Sequence, residues 1–168
     1  MATIAIIFGS TMGNTESAAE QIAANLSGHE TVLINVSELT ADTFAEYSNI
    51  ILGTSTWGCG DLQDDWEGAI STLQGANLTG KTVAVFGCGD SSAYSDTFVD
   101  GVGTLYEAAK SAGANMVGDN VSTDGYSFSD STACVDGVFV GLPLDDDTCG
   151  DNDARMTTWC AEISPLFK

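Results

Sequence analysis

The segment GSTMGNT at Gly9–Thr15 combines glycines, small hydroxyl side chains and an amide, with no charged residue among them. It follows an apolar run and opens a helical pattern, and backbone N–H groups at a helix start bind anions with the help of the helix dipole. The segment lacks the lysine of a Walker A loop and the spacing of a GxGxxG loop, so its neutral donors suit one terminal phosphate. The predicted members of this phosphate site are Ser10, Thr11, Met12, Gly13, Asn14 and Thr15.

Two further glycine-rich segments carry an aromatic residue and follow apolar runs. Trp57 stands in Thr54–Gly60 (TSTWGCG), and Tyr94 ends Gly87–Tyr94 (GCGDSSAY). An aromatic residue on such a loop is well placed to cover a planar ring, and the second segment adds backbone donors and a carboxylate. The three segments together predict a site for a phosphorylated planar ring. Its further members are Thr54, Ser55, Thr56, Trp57, Gly58, Cys59, Gly60, Gly87, Cys88, Gly89, Asp90 and Tyr94.

Each segment also has a plainer explanation. The first could be a glycine turn before a capped helix, Trp57 and Tyr94 could pack on neighbouring loops, and Asp90 could cap a helix. Residue types and spacing leave these alternatives open.

The elements that must position these loops alternate along the chain. Short apolar runs suit the strands of a parallel sheet covered on both faces, and amphipathic patterns between them suit helices. This alternation predicts one domain over residues 1–168, a doubly wound α/β three-layer sandwich around a five-stranded parallel sheet. We expect the strand order 2-1-3-4-5, one of the common orders of such sheets. The predicted strands are Thr3–Phe8, Thr31–Val36, Ile50–Thr54, Thr82–Cys88 and Asn115–Gly118, and the predicted helices are Thr15–Leu26, Leu62–Leu73, Phe98–Ala112 and Asn152–Phe167.

The three candidate loops leave the first, third and fourth predicted strands at their carboxyl ends. In a sheet of this order a ligand lies where the strand order reverses, so the loops are expected to meet there. The polar segment Asp119–Gly137 interrupts the alternation and predicts an insertion within or just after the fifth strand.

The charge of the chain restricts its partners. The chain has twenty-four acidic and four basic residues, which gives a formal net charge of −20. Nucleic acid and anionic membrane surfaces are thereby excluded as partners, and basic proteins are favoured. Solubility or adaptation to salt is the alternative reason for such a charge.

The remaining composition predicts a cytoplasmic protein. The apolar run at Met1–Phe8 is too short to span a membrane and lacks a basic leader, so we expect neither a signal peptide nor membrane insertion. Five cysteines without a CxxC pair suggest free thiols rather than disulfides or a zinc site. His29, the only histidine, is expected to lie in solvent, and we expect no metal site.

Four motifs carry a resemblance to a known family. They are GSTMGNTES, TSTWGCGDLQDDWEG, FGCGDSSAYSDTF and STDGYSFSDS followed by FVGLPLD. With them the chain resembles flavodoxins of the long-chain type along essentially its whole length, and the insertion is the feature that marks this subgroup. One departure is Met12, which stands where the family usually has a hydroxyl residue, so one hydrogen bond to a phosphate would be absent.

The resemblance implies a cofactor and roles for the site residues. Ser10 to Thr15 would hold the phosphate of flavin mononucleotide (FMN), Trp57 and Tyr94 would cover the two faces of the isoalloxazine, and Gly58–Cys59 would lie near flavin N5. Cys88–Asp90 would bond the pyrimidine edge, and Asp96 and Thr97 would lie near the ribityl chain or the ring edge.

The resemblance also implies a function. The protein would be a monomeric, low-potential one-electron carrier with no catalytic residues and no substrate turnover of its own, shuttling between the semiquinone and the hydroquinone. Its partners would be basic redox proteins such as ferredoxin–NADP reductase, a photosystem, nitrogenase reductase or pyruvate oxidoreductase. Two alternatives fit less well. A receiver domain needs paired acids after the first strand, and a quinone reductase needs a ring face that Trp57 and Tyr94 would occupy.

Overall fold

The computed structural model describes residues 2–9, 13–57 and 61–168, and of Trp57 and Asp61 it describes the backbone only. The predicted site residues Ser10, Thr11, Met12, Gly58, Cys59 and Gly60 lie outside the described residues. The strands are β1 Thr3–Phe8, β2 Glu30–Asn35, β3 Asn49–Trp57, β4 Asp61–Leu62, β5 Thr82–Gly89, β6 Asn115–Met116, β7 Val121–Ser122, β8 Cys134–Val135, β9 Val138–Phe139 and β10 Leu142–Asp145. The helices are α1 Asn14–Asn25, α2 Ala41–Glu46, α3 Asp64–Gln74, α4 Asp100–Ser111 and α5 Asn152–Ile163.

The main sheet has the predicted architecture. Its strands follow the order β10-β5-β3-β1-β2, and all of these pairs are parallel. Counted along the chain, this is the order 2-1-3-4-5 with helices on both faces. The central strands are apolar and buried, as in β1 after its first residue, because helices cover both sides of the sheet, whereas the edge strand β2 has no fully buried residue.

Two clusters of buried side chains lie on opposite faces of the sheet. One packs α1 and α5 against it through residues such as Ile22 and Trp159, and the other packs α3 and α4 through residues such as Trp66 and Leu105. Both tryptophans are almost fully buried.

The fifth strand of the sheet is split by the insertion. Its first part, β6, pairs with the start of β5, and its second part, β10, pairs with the end of β5. Between them lies a three-stranded antiparallel sheet of order β7-β9-β8. The insertion is therefore within the fifth strand, one of the two places that the sequence allows.

The insertion packs on the body of the domain through aromatic side chains. Phe98, just before α4, lies 5.9 Å from the Tyr126 ring, 5.6 Å from Phe128 and 5.9 Å from Phe139, measured between ring centroids. Asp136 and Gly137 both have positive φ, 53° and 85°, which suits the tight turn of a two-residue hairpin between β8 and β9. The segment is polar in composition, yet its aromatic side chains form a small packed cluster with Phe98.

Several element boundaries differ from the prediction for identifiable reasons. Helix α3 begins at Asp64 rather than at Leu62, because Leu62 belongs to β4, where it pairs with Thr56 of β3. The Gln63 side chain then caps the helix. Helix α4 begins at Asp100 rather than Phe98, because Val99 is left-handed with φ 47°. The last helix ends at Ile163, and a 3₁₀ turn with a proline follows it. The six-residue α2 is too short to show a period, and the sequence does not predict it.

The prediction for His29 is wrong. The ring is half-buried, and its Nδ1 accepts a hydrogen bond of 3.0 Å from the Ala2 N–H. Its Nε2 lies 3.1 Å from the Ser164 carbonyl oxygen, which fixes Nε2 as the donor. The ring thus joins the first strand to the end of the chain. Among the described residues, no helix is both long and apolar enough to cross a membrane.

Candidate functional site

Side chains from the three candidate loops line one cavity at the carboxyl edge of the sheet. Its volume is about 150 Å³. Because β1, β3 and β5 are neighbours in the sheet, the loops that follow them leave the same edge. The cavity is lined by Asn14, Ser55, Thr56, Cys88, Gly89, Asp90, Tyr94 and Asp146.

The first loop ends at the start of α1, where no side chain of the described residues caps the helix. Gly13 precedes α1 with φ 87°, and the Ser17 N–H bonds to its carbonyl at 2.9 Å. Thr15 is fully buried, and its hydroxyl lies 2.6 Å from the Ser55 hydroxyl, which joins the first loop to the second. A helix start of this kind presents backbone N–H donors in the direction of the helix dipole.

A buried tryptophan fixes where the first and second loops begin. The Trp66 indole N–H and the Gly9 N–H both donate to the Gly53 carbonyl, at 2.7 and 3.1 Å. Gly53 has no room for a side chain, because a Cβ there would lie 2.2 Å from the Phe86 ring. Trp66 is therefore part of the scaffold of the site, and a sequence pattern that marks it only as a core residue does not reveal this.

The third loop is folded around Asp90. One Asp90 carboxylate oxygen accepts hydrogen bonds from the Ser92 and Ala93 N–H groups, both at 3.0 Å, and the Tyr94 N–H donates to the Asp90 carbonyl at 2.9 Å. The Tyr94 side chain is 44% exposed. Packing on neighbouring loops, the plainer alternative for Tyr94, does not describe this ring.

Not every predicted residue meets the cavity. Thr54 is buried within β3, and Gly87 lies within β5, where a Cβ would come 2.4 Å from the Val102 side chain. Asp96 and Thr97 form a short 3₁₀ turn after Tyr94. None of these four residues is among those that line the cavity.

Asp146 reaches the cavity from the end of the split fifth strand, and the site prediction does not include it. Burial raises the pKa of its carboxyl above the ordinary value, and the nearby Asp90 and Asp145 carboxylates raise it further. The cavity thus has hydroxyl and amide groups from β3 and α1, and carboxylates from the residues that follow β5 and β10.

Replacing Asp146 by Asn should stabilise the protein at neutral pH. Since the folded state raises the pKa of this carboxyl, it favours the protonated form, so wild-type stability falls as pH rises above the unfolded value near 3.8. In urea unfolding at pH 7, Asp146→Asn should raise the free energy of unfolding by less than about 1 kcal/mol, because the side chain is largely exposed. At pH 3 it should not change the free energy of unfolding, because the carboxyl is then mostly protonated in both states.

Asp153→Asn is the control for this measurement. Asp153 lies in the first turn of α5, where the helix dipole favours a negative charge, so its removal should not stabilise the protein at pH 7. A gain for Asp146→Asn that is as large at pH 3 as at pH 7 would contradict the charge argument.

The Cys88 thiol faces the cavity in its protonated form. Burial raises its pKa to about 12, the Asp146 charge acts in the same direction, and a hydrogen bond with Thr15 opposes both. A thiol of this kind is a poor nucleophile at neutral pH. The four described cysteines, Cys88, Cys134, Cys149 and Cys160, are free.

Larger cavities include one of about 190 Å³ that shares Asn14, Cys88 and Asp146 with the site and one of about 400 Å³ beside Asn49. Two others also lie away from the loops. Each holds about 460 Å³. One is a groove between α3 and α4 beside Glu107, and the other lies between the insertion and α5 beside Arg155. We place the candidate site at the cavity of about 150 Å³, because donors, carboxylates and an aromatic ring from separate loops converge there.

The few basic residues lie mostly at the opposite edge of the sheet. Lys81 directly precedes β5, Lys110 lies in the last turn of α4, and the Lys168 N–H bonds to Asn49 at the start of β3. The fourth, Arg155, stacks on the Tyr126 ring with its guanidinium carbon 4.1 Å from the ring centroid. The carboxyl edge, with Asp90, the Asp145–Asp147 run and acidic first turns of several helices, is the negative end of the molecule.

Comparisons with known proteins agree with this architecture. The flavodoxin family model matches residues 6–159. The chain is 39% identical to the flavodoxin of Synechocystis sp., covering 100% of this chain and 99% of the relative. It is 41% identical to that of Trichodesmium erythraeum, with 99% of each covered.

A solved structure extends the similarity to three dimensions. The crystal structure of Fusobacterium nucleatum flavodoxin bound to flavin mononucleotide has a TM-score of 0.94 and 28% identity, and the match covers 100% of both chains. The match runs through the insertion as well as the five-stranded sheet, so the chain belongs to the flavodoxin family.

Proposed function

We propose that this chain is a single domain over residues 1–168 that binds one FMN non-covalently and carries single electrons between other redox proteins. The observation that carries the proposal is the convergence of three loops on one cavity, in a chain whose fold matches that of the FMN-bound Fusobacterium nucleatum flavodoxin over its whole length. Residues 10–15 would hold the phosphate, and Trp57 and Tyr94 would cover the ring.

The donor set fits FMN. Around the cavity the described groups from α1 and β3 are neutral hydroxyls and an amide, from Asn14, Ser55 and Thr56. No described lysine or arginine lines it. Such donors suit the single phosphate of a mononucleotide better than the multiple charges of a nucleoside triphosphate.

The protein would bind and tune the cofactor, and bound FMN would supply the redox chemistry by accepting and releasing single electrons. The carboxylates at this edge oppose any added negative charge. At a distance of ~10 Å and an effective dielectric of ~40–80, each contributes about 0.4–0.8 kcal/mol. Several together favour a low potential for the second electron, and therefore a carrier that shuttles between the semiquinone and the hydroquinone.

The same charge indicates the chemistry of the partners. A negative edge around an exposed ring suits transient docking to a basic protein surface. Basic redox proteins of the class of ferredoxin–NADP reductase, a photosystem, nitrogenase reductase or pyruvate oxidoreductase would fit. We propose a cytoplasmic monomer without enzyme turnover of its own.

An absorption spectrum of the purified protein tests the proposal. We expect flavin bands at one FMN per chain, and release of all the flavin into the supernatant on acid precipitation, since no covalent bond is formed. A flavin-free protein that takes up no FMN on reconstitution would refute the proposal. An NADPH–quinone assay separates the carrier from a quinone reductase, because a carrier alone should show negligible turnover.

A further inference from the structure

Tyr94 stands between two points at which its loop is attached to the rest of the protein. On one side, the Ser91 N–H and hydroxyl both donate to the Asp145 carboxylate, at 3.0 and 2.6 Å. On the other side, the Ser95 carbonyl accepts the N–H groups of Ser129 and Asp130 in the insertion, at 2.9 and 3.0 Å. Both attachments come from the split fifth strand or from the insertion that splits it.

The ring has little else to hold it. Its side chain is 44% exposed, and no hydrogen bond to its hydroxyl is found within the described part of the chain. The position of the Tyr94 ring therefore depends on the backbone of its loop, and so on the two attachments.

Asp145 is a rigid acceptor for the first attachment. It is the last residue of β10, its side chain is fully buried, and its carboxylate also accepts the Asp147 N–H at 3.1 Å. Its backbone is held from both directions by the Asn152 side chain, which accepts the Asp145 N–H at 3.1 Å and donates to the Asp145 carbonyl at 3.3 Å. A buried carboxylate is tolerated only with such partners, and hydrogen bonds to it are stronger than those between neutral groups.

We propose that Asp145 is a positioning residue for the flavin ring. It does not line the cavity itself. Through Ser91 it fixes the loop that carries Tyr94, so that the ring lies in place before the ligand arrives. A loop ordered in advance does not have to lose its freedom on binding, and affinity rises accordingly. This inference rests on the proposed binding of FMN.

The test is a double-mutant cycle on the apoprotein, with the FMN dissociation constant measured from flavin fluorescence. Ser91→Ala removes the shorter of the two bonds to Asp145 and should weaken FMN binding by about tenfold, the low end for a hydrogen bond to a charged group. Ser92→Ala is the matched control in the same loop. Ser92 is exposed, and only its backbone N–H is used, so binding should change less than twofold.

The decisive measurement repeats Ser91→Ala in a Tyr94→Ala background. If Ser91 acts through Tyr94, its effect on FMN affinity should disappear there, because coupled residues are not additive. A purely structural role would lower the free energy of unfolding and weaken FMN equally in both backgrounds. Asp145→Asn should behave as Ser91→Ala does, and Ser91→Ala decides alone where Asp145→Asn does not fold.

Wild-type affinity in Ser91→Ala, or a tenfold loss that persists in the Tyr94→Ala background, would overturn this inference and leave the proposed function standing. A wild-type protein that binds no FMN would overturn both.

Discussion

FMN should bind the apoprotein at least ~100-fold more tightly than riboflavin, which has the same ring without the phosphate. The phosphate would meet the start of α1 and the residues before it. Each hydrogen bond to a charged group contributes about 1.5–3 kcal/mol, so two such bonds account for the expected ratio. Titration of the apoprotein with each ligand, followed by flavin fluorescence, measures it.

A glycine substitution locates the phosphate. Gly13 has φ 87°, and a Cβ there would come within 4 Å of no atom of the described residues, so we expect Gly13→Ala to act through the conformational preference of the loop. A residue with a Cβ loses about 1–2 kcal/mol in this region, so FMN affinity should fall by several-fold to tenfold. Riboflavin affinity should be unchanged, because the ring would be held by the other two loops.

Gly28→Ala is the control, since Gly28 also has open space around its Cβ position and its φ is not in the left-handed range. It should leave both affinities unchanged. Equal affinity for FMN and riboflavin in the wild-type protein would contradict the assignment of the phosphate site to Gly9–Thr15.

The architecture was open to prediction because it rests on strong local signals. Continuous apolar runs such as Thr3–Phe8 and Thr82–Cys88 identify strands buried on both faces, and the helical periods between them identify the crossovers. The loops that follow those strands had to meet once the strand order was fixed. The location of the cavity followed from the topology, without any knowledge of side-chain contacts.

The parts that escaped prediction depend on contacts between distant residues. Trp66 reads as a core residue of a helix, and only the fold shows that its indole N–H reaches the Gly53 carbonyl. In the sequence Asp145 and Asp146 belong to one acidic run and cannot be told apart. In the structure Asp145 is fully buried and bonded to Ser91, whereas Asp146 lines the cavity. The hydrogen bonds of His29 could not be predicted from the residues next to it in the sequence, because their partners lie near the two ends of the chain.

Salt should have opposite effects on two properties of this protein. The net charge is −20, and self-repulsion of that size destabilises the compact state, so sodium chloride should raise the midpoint of urea unfolding. Electron transfer from the reduced protein to a c-type cytochrome with a basic surface should slow by ~10–100-fold between about 10 mM and 500 mM salt, because steering between opposite charges is screened.

The acceptor provides the control for the second effect. Ferricyanide is an anion that the carboxylates around the cavity, Asp90 and Asp146 among them, should repel. Its reduction should become faster with salt over the same range, because screening then removes a barrier instead of an attraction. The charges responsible lie at the edge where the ring of FMN would be exposed, whereas Lys81, Lys110 and Lys168 lie at the other edge. If the reduction rates of both acceptors change in the same direction as salt is raised, or do not change at all, electrons do not leave through this acidic edge.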